Sequence, residues 1–196
     1  MNATIRRIQQ KLSLPPDGRL TPGLLTAIAQ ALNLPTEPTP LWPASGAVRR
    51  GTSCFGSPGN EGALVHLIPP YPLYRRGQRL PALRVHEKIA PHVLRALRDI
   101  LDHYGEERLR HLGLDQCGDD YSYRLTANGR QLSLHAWGIA LDFAPSANAP
   151  HQKAPRATLS RPEYRDWWDI WESHGALSRG RRTGSGWMHL QFTRTP

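Results

Sequence analysis

The chain has 196 residues, enough for one well-packed domain with a small appendage. Hydrophobic content is a modest 39%, 18 prolines and 17 glycines imply many turns, and no run approaches the roughly eighteen apolar residues that cross a bilayer. A formal charge of +9 favours an anionic partner, with an acidic cell envelope preferred to nucleic acid, because no recognition helix, zinc-finger spacing or basic–aromatic signature accompanies it.

The N-terminus leads into an amphipathic pattern and has no apolar signal-peptide core, so synthesis in the cytoplasm without a signal peptide is expected. Ile5, Ile8 and Leu12 recur at helical spacing until Pro15-Pro16-Asp17-Gly18 breaks the segment. Thr21 then caps a second helix with Pro22 in its first turn and Leu25, Ile28 and Leu32 on one face. Residues 1–34 are thus a helical segment. Its Ile8-Gln9-Gln10-Lys11-Leu12, Asp17-Gly18 and Thr26-Ala27-Ile28 resemble the short repeat of peptidoglycan-binding domains. An ordinary helical hairpin packing on the main domain is the alternative.

Residues 35–48 hold Pro35, Pro38, Pro40 and Pro43 with little periodicity, which predicts a semi-rigid linker, and the main domain is expected to span 49–196. A short strand is predicted over Ala63 to Ile68. Val93, Leu94, Leu97, Ile100, Leu101 and Tyr104 predict one buried face of a helix over 91–104. A further helix over 162–174 offers Tyr164, Trp167, Trp168 and Trp171 for burial, and Gly175 ends it. Helices separated by short strands predict an α+β domain with a small antiparallel sheet and flanking helices. Cys54 and Cys117 are either free thiols or one bridge.

The most informative stretch is Ser133-Leu-His135-Ala-Trp137-Gly138-Ile-Ala140-Leu-Asp142-Phe143, which places a histidine and an aspartate where a loop runs into a strand. Ile139, Leu141 and Phe143 share one strand face, and Ala140 and Asp142 share the other. In Trp187 to Thr193 the same parity sets Met188, Leu190 and Phe192 against His189, Gln191 and Thr193. If these strands are antiparallel neighbours, Asp142 and His189 sit side by side and His135 reaches in from the preceding loop. Two imidazoles and one carboxylate make a three-ligand zinc set with a position left for water. The remaining histidines have no comparable context.

Ser133-x-His135-x-x-Gly138-x-Ala140-x-Asp142, with the later Trp187-Met188-His189, resembles the D-alanyl-D-alanine carboxypeptidase and L-alanyl-D-glutamate endopeptidase family of zinc peptidases. Vancomycin-resistance dipeptidases and many phage endolysins belong to that family, and the likeness covers residues 50 to 196. It implies that His135, Asp142 and His189 hold one Zn2+, and that Arg124 of the Tyr123-Arg124 pair stabilises the oxyanion. It further implies that Ser133 orients a ligand or the substrate. Tyr123, Trp137 and Gln191 are expected to contact substrate. The expected substrate is the stem peptide of peptidoglycan, attacked at the bacterial cell wall after release or export by a monomeric enzyme.

The chain departs from the family at the general base. Members carry Asp or Glu three residues before the last histidine, and here that position is Gly186. Three explanations stand at this point: a carboxylate from elsewhere, with Glu172 and Asp169 nearest in sequence; an inactive variant that binds zinc and cell wall; or a slip in the last motif's alignment. A zinc-containing, catalytically inactive wall-binding module is therefore the rival to the peptidase, and a basic nucleic-acid-binding protein is a weaker third.

Overall fold

The structure is a computed structural model that describes residues 2–32, 40–126 and 128–194. The chain opens with α1 (Ala3–Lys11) and α2 (Pro22–Ala31). Asn2 caps α1 by accepting from Thr4 N at 3.1 Å, and Thr21 Oγ1 accepts from Leu24 N at 3.1 Å at the start of α2. The Asp17-Gly18 turn between them is latched by Gln9, which is buried. Its amide donates to Asp17 Oδ1 at 2.6 Å and to Arg19 O at 3.1 Å, while its carbonyl accepts from Gly18 N at 2.8 Å.

One expectation for α2 is corrected. Leu24 is the residue inside, at 2% exposure, whereas Leu25 and Leu32 are exposed. The face that meets the main body is rotated from the one the spacing favoured, because α2 packs on the later helix over residues 165–173.

The expected linker is also revised. Pro35 and Pro38 lie outside the described residues. Pro40 and Pro43, however, flank Trp42, which is buried against Phe55 and Phe192. A short helix, α3 (Ser45–Arg49), follows at once. The main body therefore begins ahead of residue 49, anchored by an indole among the prolines.

Next come β1 (Leu64–Leu67), β2 (Tyr74–Arg75), β3 (Gln78–Arg79) and β4 (Leu83–His86). β1 pairs antiparallel with β4, from Leu64 opposite His86 to Leu67 opposite Leu83, and β2 pairs with β3. The long helix α4 (Ala90–His111) starts with proline in its first turn and breaks its path at Gly105. Val93, Ala96, Leu97 and Ile100 are its buried residues ahead of that break, with Leu94, Leu101 and Tyr104 packed at the margin. After β5 (Ala140–Asp142) come α5 (Arg165–Ser173), β6 (Leu177–Ser178), α6 (Arg179–Thr183) and β7 (His189–Gln191).

β5, β7 and β6 form an antiparallel sheet in that order, so the fold is α+β with small antiparallel sheets. Its core face carries Leu141, Phe143, Leu190 and Phe192, all fully buried. Phe143 packs edge-on against Trp167 at 5.0 Å and beside Trp171 at 5.7 Å, which seats α5 on that face. Aromatic burial of this size is the main hydrophobic anchor for the sheet, about 2–3 kcal/mol per large side chain. Cys54 is an exposed thiol and Cys117 a buried one. Among the described residues no helix is long and apolar enough to cross a membrane.

Candidate metal centre

Strand parity places the centre on the sheet face turned away from α5. Asp142 and His189 are direct register partners across β5 and β7, and His189 Nδ1 lies 2.9 Å from Asp142 Oδ1. His135 comes from a single 3-10 turn, Leu134–Trp137, immediately before β5. That turn is clamped from both sides. Ala136 O accepts from Gly59 N at 2.8 Å, Gly138 O accepts from His86 N at 2.9 Å, and the Trp137 indole donates to Gly56 O at 2.9 Å. Gly138 closes the turn in the left-handed region at φ 66, and a Cβ there would stand 2.6 Å from Leu64 Cδ2. Only glycine lets the backbone pass β1 and β4 this closely.

His135 is 1% exposed, and its two ring nitrogens have different surroundings. Nδ1 donates to the Asp120 carbonyl at 2.6 Å, which leaves the lone pair on Nε2. Nε2 is buried with no hydrogen-bond partner, although it stands 3.4 Å from Asp142 Oδ2. A buried nitrogen that faces a carboxylate without bonding to it is short of one ligand. Ligand atoms of His135, Asp142 and His189 all lie within 4.8 Å of one another. A tetrahedral ion with bonds of about 2.0 Å holds its ligands about 3.3 Å apart, so small adjustments complete the set. The three side chains can therefore hold a metal ion.

Electrostatics keep the acid ready for that role. Burial works against ionisation of Asp142, but the close His135 imidazole and the hydrogen-bonded His189 outweigh it and hold the carboxyl well below the usual range. Burial likewise works against a charge on His135, and the facing Asp142 carboxylate overcomes it, so the imidazole is raised from its ordinary value.

Asp120 supports the centre in a way that spacing did not reveal. Its carbonyl orients His135, its Oδ2 accepts from Arg84 N at 2.9 Å, and its Oδ1 meets Arg75 at 3.0 Å. The acidic pair Asp119-Asp120 is visible in the sequence. That a main-chain carbonyl would be the orienting group is not.

The other expected site residues fall into two groups. Arg124 is held through Nε and Nη2 by Asp119 Oδ2 at 3.1 and 2.7 Å, and the Asp119 carbonyl accepts from Asp142 N at 2.8 Å. The Arg124 charge is close enough to bear on His135. Ser133 is buried, its N donates to Arg124 O at 2.9 Å, and its hydroxyl makes no hydrogen bond among the described residues. Tyr123 is exposed, with its ring over Gly59. Gln191 donates to Thr193 Oγ1 at 2.5 Å and lines a cleft of about 450 Å3. Trp137 is a correction. It is 3% exposed and bonded to Gly56, so it packs the turn and does not face a ligand.

Neither carboxylate considered as the base is brought to the centre. Glu172 and Asp169 lie on α5, across the sheet, and both pair with Arg181, at 3.2 and 2.7 Å. Burial pushes the Glu172 carboxyl up from its ordinary value. Gly186 has a conformational reason for being glycine. Its φ is 67, its carbonyl accepts from His189 N at 3.0 Å, and a Cβ would stand 3.1 Å from Arg179 Cδ. The turn it forms is what delivers His189 to β7.

Comparison of the chain with family models, with curated proteins and with solved structures gives no match.

Proposed function

We propose that the chain is a zinc-dependent peptidase of peptidoglycan stem peptides, of the lytic type made by phages, acting at the bacterial cell wall. The observation that carries this reading is the convergence of His135 Nε2, the Asp142 carboxylate and His189 Nδ1 on one sheet face, with His135 Nε2 buried and unpartnered. Two histidines and one carboxylate are the donor set of hydrolytic zinc sites that keep a position open. Bound there, zinc supplies a Lewis acid and a water of lowered pKa.

The chain's own groups do the rest. Asp120 fixes the His135 tautomer, and the β5–β7 register fixes the Asp142–His189 distance. Arg124, anchored by Asp119, offers a charged donor to oxygen that becomes negative as a carbonyl is attacked. The basic surface favours an anionic wall, and the Gln9-latched helical hairpin is the piece that resembles wall-binding repeats.

Digestion of purified peptidoglycan followed by mass spectrometry of the released fragments tests the reading. Zinc-dependent scission of stem peptides, abolished by chelator and restored by zinc, is the expected result; intact stems under every metal condition would refute it. The second reading is an inactive module that keeps the metal and binds wall. It is favoured by one observation, the Gly186 turn, which puts no carboxylate where the family has its base.

A further inference from the structure

On the metal-bearing side of the sheet lies the cleft of about 450 Å3 that Gln191 lines, within the range of small-ligand sites. α3 contributes Arg49, α6 contributes Arg179 and Arg182, and the chain past β7 contributes Arg194. No aspartate or glutamate lines it. None of these four guanidiniums has a carboxylate within ion-pair distance among the described residues. Arg181, by contrast, on the same short helix, is fully engaged with Asp169 and Glu172. Arg49 is fixed in place by donating Nε to Leu132 O at 3.3 Å. Burial, and after it the neighbouring Arg179, make its charge harder to hold. Glu172 is close enough for Arg182 to act on its carboxyl but is already paired with Arg181, so the four guanidiniums share the cleft with little counter-charge, and an anion there relieves their mutual repulsion.

None of the three candidate ligands lines the cleft, which is linked to the centre along the chain. Gln191 stands two residues beyond His189 on the same face of β7, about 7 Å along the strand. Arg179 packs against Gly186, in the turn that leads to His189. Asn128 and Gln131, which also line the cleft, are tied back towards the centre by the Leu125–Leu132 bridge and by Ser133 N donating to Arg124 O at 2.9 Å.

We propose that this cleft binds the free carboxylate of an acidic peptide and so sets which bond reaches the metal. The proposal rests on the peptidase reading for the nature of the ligand. Arginine pairs with carboxylates through two parallel hydrogen bonds, and the amide side chains of Asn128, Gln131 and Gln191 suit a peptide main chain in a way that a bare phosphate does not need.

The test is calorimetric titration of the full, chelator-treated chain, so that binding is read without turnover. The probes are the tetrapeptide L-Ala-D-Glu-L-Lys-D-Ala, its carboxamide form and inorganic phosphate. The free acid is expected to bind at least about tenfold more tightly than the carboxamide, as loss of charge-assisted pairs implies. R179Q/R182Q, and separately R194Q, are expected to erase that preference while leaving the unfolding midpoint in place. Equal binding of acid and carboxamide, or unchanged preference in both variants, overturns the proposal. So does phosphate displacing the peptide at lower concentration than the peptide itself requires. A carboxylate preference in a zinc-loaded chain that cuts nothing would sink the peptidase reading alone. Equal cutting of acid and carboxamide would sink this inference alone.

Discussion

Asp142 and His189 face each other as register partners across two antiparallel strands, 2.9 Å apart at Oδ1 and Nδ1. Because the ladder fixes their separation, a change at either one alters the donor set offered to a metal ion. D142N is expected to weaken zinc binding by more than the roughly 10–100-fold that losing an outer partner costs, since it alters a ligand itself. Competition titration against a chromophoric chelator measures this. Unchanged zinc affinity would remove Asp142 from the site.

Asp120 acts one step further out. D120A keeps the carbonyl that holds His135 but releases Arg75 and the Arg84 amide. Loss of these charge-assisted bonds to a buried carboxylate is expected to cost about 2–3 kcal/mol of folding stability. Zinc affinity should fall about tenfold through the loosened loop. Denaturant unfolding and the same chelator competition read the two effects separately.

The turn before β5 depends on Gly138. G138A sets a Cβ 2.6 Å from Leu64 Cδ2 and 3.0 Å from His86 N in a left-handed backbone. Overpacking and strain together are expected to remove roughly 2–5 kcal/mol. Urea unfolding midpoints test this, and an undisturbed midpoint would contradict the close packing of this turn.

Gly186 is the corresponding test on the other strand. G186D is expected to lose about 1–2 kcal/mol, since the backbone there is left-handed and Arg179 stands against the new side chain. Peptidoglycan hydrolysis should not rise. A large gain in hydrolysis would instead mean that the natural chain lacks its base, as the inactive-module reading holds.

The N-terminal hairpin carries a pH dependence. Asp166 on α5 meets His103 at 3.1 Å and Arg19 at 3.4 Å. The hydrogen bond from His103 holds its carboxyl below the ordinary 3.8 against the opposing effect of burial, and Arg19 adds to the lowering. A depressed carboxyl stabilises the fold above its unfolded value and loses that contribution as pH falls through the folded one. Docking of α1 and α2 is therefore expected to hold at neutral pH and weaken below about pH 3.8. R19A should weaken it already at neutral pH. Rates of proteolytic release of the N-terminal segment, measured from pH 3 to 7 with an acid-stable protease, check both.

Much of the centre was legible in the sequence because strand parity is a strict, local rule. Ile139, Leu141 and Phe143 had to face one way, which fixed Asp142 on the other, and the same held for His189. Helices over the tryptophans and over 91–104 followed from spacing, and both are present. Long-range packing was not legible. Trp42 among prolines gave no sign that it would bury against Phe55 and Phe192. The hidden face of α2 depended on where α5 would lie, and Trp137 was drawn into the core by a carbonyl 81 residues earlier. Glu172 and Asp169 looked available only because sequence does not show which side of a sheet a helix will cover.

The most direct measurement is the release of new amino termini from purified peptidoglycan by the zinc-loaded chain, beside H189A prepared in the same way. Steady release by the natural chain and none by H189A is the expected result. No release by a chain shown to hold one zinc ion, or equal release by both proteins, would contradict it.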